Sequence, residues 1–338
     1  MVALTPMRPM RAGRVGHAAI VLEDGRVLVV GGVSATGRNA SPIASCEAFE
    51  PSSGLWRVVS RLLQPRQDLA LVRLADGRVL ALGGRLLDRA PMATVEAWDP
   101  RTDRWERLPD LAAAVSGAAV ATIDRSRALV IGGFASEGPS RLAWWIDLRS
   151  GVISAAPSTG DEHAYHAVAV TPDGAVFVSG ISTEILRDDC WARLSRPHGG
   201  ADAAAVAVLE DGSVVIAGGR DGEDERARAD TAVWPSGLGN PVELAFEHGP
   251  RWGHTMARLR DGRLVAAGGI TDGPRFVEHW ELLEPTERRW RPVPTLVETR
   301  WRHAQVEMAD GAYLLVGGAR SAGPGDASPA VSKLDVDR

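Results

Sequence analysis

Lysine is all but missing from this sequence. Lys333 is the single example in a chain whose lysines and arginines total 38, so nearly every basic side chain is a guanidinium. Schiff-base catalysis and the lysine of a phosphate-binding loop both need a well-placed amine, which excludes both classes away from Lys333. Cysteine is almost as scarce. Cys46 and Cys190 stand far apart in sequence and form no C-x-x-C motif. They could bridge only if the fold brought them within a few ångströms. No apolar run reaches about 18 residues, so no membrane-spanning helix is expected. The opening segment Met1 to Arg11 lacks the apolar core of a secretory signal. The G-x-S-x-G, H-E-x-x-H and G-x-G-x-x-G signatures are absent as well. A net charge of −5 gives no global attraction to nucleic acid or anionic lipid. The expectation is a cytoplasmic protein in a reducing setting, with neither nucleic acid nor membrane as partner.

What is plentiful is glycine, at 37 residues, and much of it is periodic. The run Arg26-Val-Leu-Val-Val30 ends in Gly31-Gly32, and the same ending recurs with first glycines at 83, 132, 180, 218, 268 and 317. The spacings are 52, 49, 48, 38, 50 and 49 residues, and only the fourth copy, Gly180-Ile181, loses its second glycine. Each unit repeats one grammar: an apolar strand such as Ala18 to Leu22, a turn containing Asp-Gly, then a second strand ending in the double glycine. Asp24, Asp76, Asp173, Asp211, Asp261 and Asp310 carry the Asp-Gly; the third unit has Arg125-Ser126. A two-residue Asp-Gly loop suits a type I′ turn. Three units then continue with acid-Pro-x-x-x-x-Trp, at Glu50 to Trp56, Asp99 to Trp105 and Glu284 to Trp290. That segment reads as a third strand, a turn, and a fourth strand that buries the tryptophan.

Four short strands per unit, seven times over, specify an all-β propeller of seven blades. On these motifs the chain, over essentially its whole length, resembles the Kelch-repeat family. The seventh unit supplies three strands and then stops, so its fourth is expected from the N-terminus, where Ala3 to Met7 precedes the first unit. Shared closure removes two exposed sheet edges. Residues 1–338 are expected to form a single propeller domain, and a closed ring needs no partner, so a monomer is expected.

The Kelch resemblance implies that the first strand of each unit is innermost and begins at the mouth of the central channel. Seven residues before each Asp-Gly, or its equivalent, stand His17, Leu69, Ala118, His166, Ala204, His254 and His303. Two readings of the four histidines stay open. They fix loops around the channel, or they converge on a transition metal such as Cu, Fe or Zn, for which neutral imidazoles are suitable donors. Arg14, Arg251 and Arg300 stand three residues before His17, His254 and His303; Trp252 and Trp301 stand two before His254 and His303, with Arg302 adjacent. Arginine beside exposed tryptophan is a common binding anchor. Packing between the sixth and seventh blades is the competing role for the tryptophans. Related Kelch proteins bind peptides through arginines at this entrance, so the resemblance implies a recognition module for a peptide, protein loop or small polar ligand at the channel mouth.

The segment Ala164-Tyr165-His166 to Gly174 also resembles the Tyr-His copper-ligand stretch of galactose-oxidase-like Kelch propellers. That family requires a second tyrosine cross-linked to a cysteine, yet the only other tyrosine is Tyr313, on an expected second strand. Two alternatives to recognition stand: a metal-dependent enzyme of oxidase, oxygenase or Lewis-acid type built on His17, His166, His254 and His303, and a metal-free sugar isomerase, which the resemblance to Kelch proteins also implies. Tyr165 is retained among the candidate ligand contacts.

Overall fold

The structure, a computed structural model, describes residues 2–36, 39–195, 199–222, 224–237, 239–273, 275–293, 299–320 and 326–336. Seven four-stranded antiparallel sheets form the blades of a propeller, and no α-helix occurs among the described residues. In blade 1 the strands run outward as Ala18–Val21, Val27–Val30, Cys46–Glu50 and Leu55–Val59. The innermost strands of blades 2 to 7 are Ala70–Arg73, Ala119–Thr122, Ala167–Val170, Ala205–Val208, Thr255–Arg258 and Ala304–Glu307. Contact between Ala304–Glu307 and Ala18–Val21 closes the ring. The N-terminal strand Val2–Met7 pairs antiparallel with Val331–Val336 and completes blade 7, as the sequence implied.

The second strands explain why the apolar runs are continuous rather than alternating. Each is covered on both faces, so every residue of Val27–Val30 is buried. Side chains of a strand alternate between its faces. Val27 and Val29 accordingly pack toward Leu314 and Val316 of blade 7, while Leu28 and Val30 pack toward Val79 and Ala81 of blade 2. The tryptophans of the fourth strands tie successive blades. Trp105 Nε1 donates to the Ser60 carbonyl (3.0 Å) and Trp191 Nε1 to the Pro157 carbonyl (2.9 Å). Trp290 is fully buried, whereas Trp56 stays half-buried.

The Asp-Gly turns differ from the type I′ expectation. The glycines have positive φ, +85° at Gly25 for instance, but none of the preceding aspartates does. Gly25 N–H donates to the Leu22 carbonyl (3.1 Å) and Leu22 N–H to the Arg26 carbonyl (2.7 Å). That is a type I turn closed by a left-handed glycine, the three-residue hairpin. Its aspartate is used differently from the type I′ expectation: Asp24 Oδ1 accepts the Arg26 N–H at 3.1 Å. The two-residue positive-φ turn does occur, at Asp188-Asp189 between the outer strands of blade 4.

The arginines expected at the mouth are instead sealed inside the blades. Arg14 and Arg251 are fully buried, and Arg300 is 2% exposed. Arg14 Nη1 donates to the carbonyls of Gly31 (3.1 Å) and Ser45 (3.0 Å), and Nη2 pairs with Glu47 at 2.7 Å. Arg251 likewise pairs with Glu281 and donates to the His279 carbonyl. Arg66, which carries no histidine three residues later, does the same with Glu96, Gly83 and Thr94. In blade 7 the acid is replaced by Ser332, whose Oγ accepts from Arg300 Nη2 at 3.0 Å. In blade 4 the base is His163, whose Nε2 donates to Glu184 at 2.8 Å. Each glutamate also accepts backbone N–H groups of the chain arriving from the previous blade, such as Leu63 and Gln64 on Glu96. Burial lowers the pKa of Arg251 and Arg300 to about 10, which leaves both charged at neutral pH.

Deleting one member of such a pair strands a buried charge and costs about 3–5 kcal/mol, whereas replacing both with packed apolar residues is close to neutral. Blades 3 and 5 already carry the apolar version, with Val115 facing Trp144 and Ala201 facing Ala232 at the equivalent positions. Glu96→Ala is therefore expected to lower the free energy of urea unfolding by about 3–5 kcal/mol. The Arg66→Val/Glu96→Leu double variant should recover most of that loss. A double variant as unstable as the single would refute the pairing argument.

Candidate functional site

At the face where the inner strands begin, seven equivalent residues surround the channel: Gly16, Asp68, Gly117, Tyr165, Ala203, Gly253 and Arg302. All have left-handed backbone, with φ from +50° to +66°. The reason is a belt of hydrogen bonds between blades. Asp68 N–H donates to the Gly16 carbonyl (2.7 Å), Gly117 to Asp68 (2.6 Å), Ala203 to Tyr165 (2.7 Å), Gly253 to Ala203 (3.0 Å) and Arg302 to Gly253 (3.1 Å). Glycine adopts this conformation freely, but a residue with a Cβ is strained there by roughly 1–2 kcal/mol. Three of the four non-glycine residues, Asp68, Tyr165 and Arg302, carry side chains with hydrogen-bonding or charged ends.

Those three side chains meet. Arg302 of blade 7 reaches across blade 1 to Asp68 of blade 2, with Nη2 2.7 Å from Oδ1. The second carboxylate oxygen of Asp68 accepts from Arg85 Nε at 2.8 Å. The crossing depends on Gly16, because a Cβ there would lie 2.7 Å from Asp68 Oδ1. The Arg302 guanidinium lies 5.8 Å from the centre of the Tyr165 ring and 5.9 Å from that of Trp301. Phe134 packs edge-on to Tyr165 at 5.1 Å. On the other side Trp252 and Trp301 form a T-shaped pair at 5.2 Å, and Arg220 lies 5.1 Å from the Trp252 ring. Both tryptophans remain half-buried, so they pack between blades 6 and 7 and still present a face. Asp202, half-buried beside Arg220, has its pKa raised by burial. Three guanidiniums thus face two carboxylates, a net positive mouth walled by aromatic rings.

Of the residues singled out from sequence, Arg302, Tyr165, Trp252 and Trp301 come together here; Arg14, Arg251 and Arg300 do not. Asp68, Arg85, Arg220 and Asp202 were missed. A signal for Asp68 existed: three glycines among seven equivalent positions mark a left-handed site, and the exceptions at such a site are the residues to examine.

The four histidines lie under this belt, each reaching back to the blade before it. The ring Cε1 atoms of His17, His166, His254 and His303 lie 2.6, 2.8, 3.0 and 3.3 Å from where a Cβ would be on Gly317, Gly132, Gly218 and Gly268. His17 Nε2 donates to the Val316 carbonyl at 3.1 Å, which leaves Nδ1 as a buried acceptor with no partner. His303 Nε2 bonds Thr255 Oγ1 at 2.8 Å. Neither nitrogen of His166 or His254 has a partner. Burial, assisted by nearby arginines or a second histidine, pushes His17, His166 and His303 down to about 3 and His254 well below its ordinary value. The rings are neutral at physiological pH.

Neutral imidazoles are suitable metal donors, but the convergence that the metal reading needs is not found: no group of three or more His, Cys, Asp or Glu side chains suited to a metal exists among the described residues. The copper-radical set does not assemble either. Tyr313 is buried on blade 7 with its hydroxyl donating to the Arg258 carbonyl at 2.8 Å. Cys46 is buried in blade 1, and Cys190 is exposed on the outer strand of blade 4; both are free.

Comparison with known proteins agrees with this architecture. A Kelch motif matches residues 71–112, which is blade 2 with the beginning of the link to blade 3. No curated protein matches the chain. Among solved structures, a fungal alcohol oxidase of the AA5 family in complex with copper aligns at a TM-score of 0.75 and 16% identity, covering 98% of this chain and 76% of the other. The resemblance to Kelch propellers, including the galactose-oxidase-like ones, is thus supported at the level of motif and fold. At that identity the likeness carries the fold alone.

The histidines set an acid limit. A histidine whose folded pKa is depressed stabilises the fold fully above its unfolded value near 6.5, and that stability is lost as pH falls through the folded value near 3. Between pH 7 and 5 each such ring should remove about 1–2 kcal/mol of stability. Urea unfolding at the two pH values measures the loss, and His303→Gln should blunt it; an unchanged midpoint would show that the rings titrate normally.

Proposed function

We propose that the chain is a recognition module whose channel mouth takes an anionic group of a peptide, protein loop or small polar ligand, with Arg302 as the anchor. One observation carries this reading: Arg302 and Arg85 share the single carboxylate of Asp68, so the pair of guanidiniums is only half neutralised. A second anion entering above Asp68 would find remaining N–H donors in a fixed fork geometry, and Tyr165, Trp252 and Trp301 would supply low-entropy contact area around it. Asp68 then acts as an internal competitor that holds Arg302 in place while the site is empty of ligand and selects for anions able to share the guanidiniums. The strained backbone at Asp68, Tyr165 and Arg302 accords with a site held for use rather than for stability.

The test is a thermal-shift screen of carboxylated, neutral and cationic small molecules and capped peptides. Stabilising compounds are expected to be anions, and Arg302→Ala should weaken them at least tenfold, the scale of a charge-assisted hydrogen bond worth about 1.5–3 kcal/mol. Asp68→Asn should tighten them and steepen their salt dependence. Cationic hits, or hits indifferent to Arg302→Ala, would refute the reading.

A second reading starts from Tyr165 and His166, adjacent at the channel mouth of a fold shared with a copper-bound structural neighbour. A transition metal held by His166 with Tyr165 would make the protein a metal-dependent enzyme. Its check is metal content after incubation with Cu, Fe or Zn salts, which His166→Ala should abolish in a folded protein.

A further inference from the structure

Among the described residues, the rim around the mouth is shortest at blade 4. Connections between second and third strands rise on this face, and in six blades they occupy 31–45, 83–94, 132–142, 218–229, 268–279 and 317–330. In blade 4 the connection is only Gly180-Ile181-Ser182. Three of the long ones carry a two-stranded ribbon, such as Phe134–Ala135 with Gly138–Pro139 beside the gap. Gly200, in the described part of the link between blades 4 and 5, lies against this connection. A Cβ on Gly200 would lie 1.8 Å from the Ile181 carbonyl, so only glycine fits that crossing.

The floor and flank of the gap are apolar. Ile181 is 58% exposed although it sits in the shortest connection, and Tyr165, which begins the same blade, is 36% exposed. Leu142 of blade 3 stands exposed at the side. Farther along the same face Leu86 and Leu87 occupy the tip of the blade 2 connection. Of the nine large apolar side chains exposed among the described residues, six belong to this face, from Leu63 to Ile181, and none to its blade 5 to 7 half. The opposite half carries Arg220, Trp252, Trp301 and Arg302. Among the described residues, the exposed large apolar side chains of this face thus lie on the blade 1 to 4 half, beside Arg85 and Asp68, and the tryptophans with Arg220 and Arg302 lie on the other, with Tyr165 between.

We infer that the occupant of this face is an extended peptide segment that places an acidic side chain at Arg302 and runs outward over Tyr165 and Ile181 through the low rim of blade 4, with apolar side chains against that floor. This rests on the anion-binding reading of the mouth and adds the direction and chemistry of the rest of the ligand. A small anion would use the arginines and leave Ile181, Leu142 and the open rim without a role. An extended chain rises about 3.3 Å per residue and turns alternate side chains to one face, so the apolar residues should stand about two to four positions from the acid.

The experiment is selection of a random twelve-residue peptide library displayed on phage against the purified full chain, repeated with Arg302→Ala and Ile181→Asp proteins of verified thermal stability. The wild type should enrich peptides with Asp or Glu and, at that spacing, Leu, Ile, Phe or Tyr in one consistent order. Arg302→Ala should erase the acidic preference, and Ile181→Asp should erase the apolar one while keeping the acid. Synthetic peptides carrying the consensus should lose at least fivefold in affinity with Ile181→Asp. An acidic consensus that depends on Arg302 but ignores Ile181 would overturn this inference and leave the mouth reading intact. A selection indifferent to both variants would overturn the two together.

Discussion

Seven blades stay in a ring because a backbone carbonyl can be brought against a glycine. At each regular junction the second glycine of the pair donates its N–H to the carbonyl of the clamp residue in the following blade: Gly32 to Arg66, Gly84 to Val115, Gly133 to His163, Gly219 to Arg251, Gly269 to Arg300 and Gly318 to Arg14, all within 2.8–3.0 Å. The first glycine sits closer still. A Cβ on Gly31 would lie 2.5 Å from the Arg66 carbonyl oxygen, and one on Gly83 would lie 2.3 Å from that of Val115. No side chain fits that gap, and the φ values near +60° and +95° disfavour one anyway. The period written in glycine is a record of the distance between blades.

From this junction follows the placement of everything at the channel. The residue whose carbonyl is captured is the one whose side chain turns back into its own blade, so arginine at that position is directed inward to the glutamate on the third strand. Two residues later the chain must bend into the inner strand through a left-handed residue, and the side chain there is thrown over the channel. The arginines of the repeat and the arginine of the mouth are thus two backbone positions apart in kind: Arg300 holds its blade together and Arg302 faces the channel mouth. A buried ion pair is weak evidence for stability in itself. Its presence in some blades and replacement by Val115 with Trp144 in another shows that the position demands complementarity rather than charge.

The ring, its seven units, the strand order and the closure by Val2–Met7 were legible in the sequence because each is encoded several times or by a pattern that only one topology satisfies. The mouth was legible as a location, and Tyr165, Trp252, Trp301 and Arg302 were found there. Burial of Arg14, Arg251 and Arg300 was not legible, since an arginine beside a histidine looks the same whether its partner is a ligand or a glutamate about thirty residues away. The Arg302–Asp68 contact spans 234 positions and depends on nothing local. The Asp-Gly hairpins were misread for a different reason: a glycine after aspartate satisfies both the two-residue and three-residue hairpin, and the strand register decides between them.

The irregular fourth unit shows how a departure from a repeat can carry more information than the repeat. Its loss of the second glycine removes the junction hydrogen bond that the other blades make, and its short connection removes the wall that the other blades raise. Ile181 takes the place of the second glycine, and the missing wall is not rebuilt. Gly200 lies against the connection, and Ile181 is left in solvent at a cost of roughly 25 cal/mol for each Å² of apolar surface that burial would have hidden. A ring optimised only for closure would make seven equal walls with small or polar caps. Blade 4 instead gives up a wall beside the residue, Tyr165, that touches the anchor Arg302. Strain at the belt, unneutralised charge at the anchor and exposed apolar surface in the gap are three separate costs incurred along one line across the face, and a bound chain running along that line would offset all three.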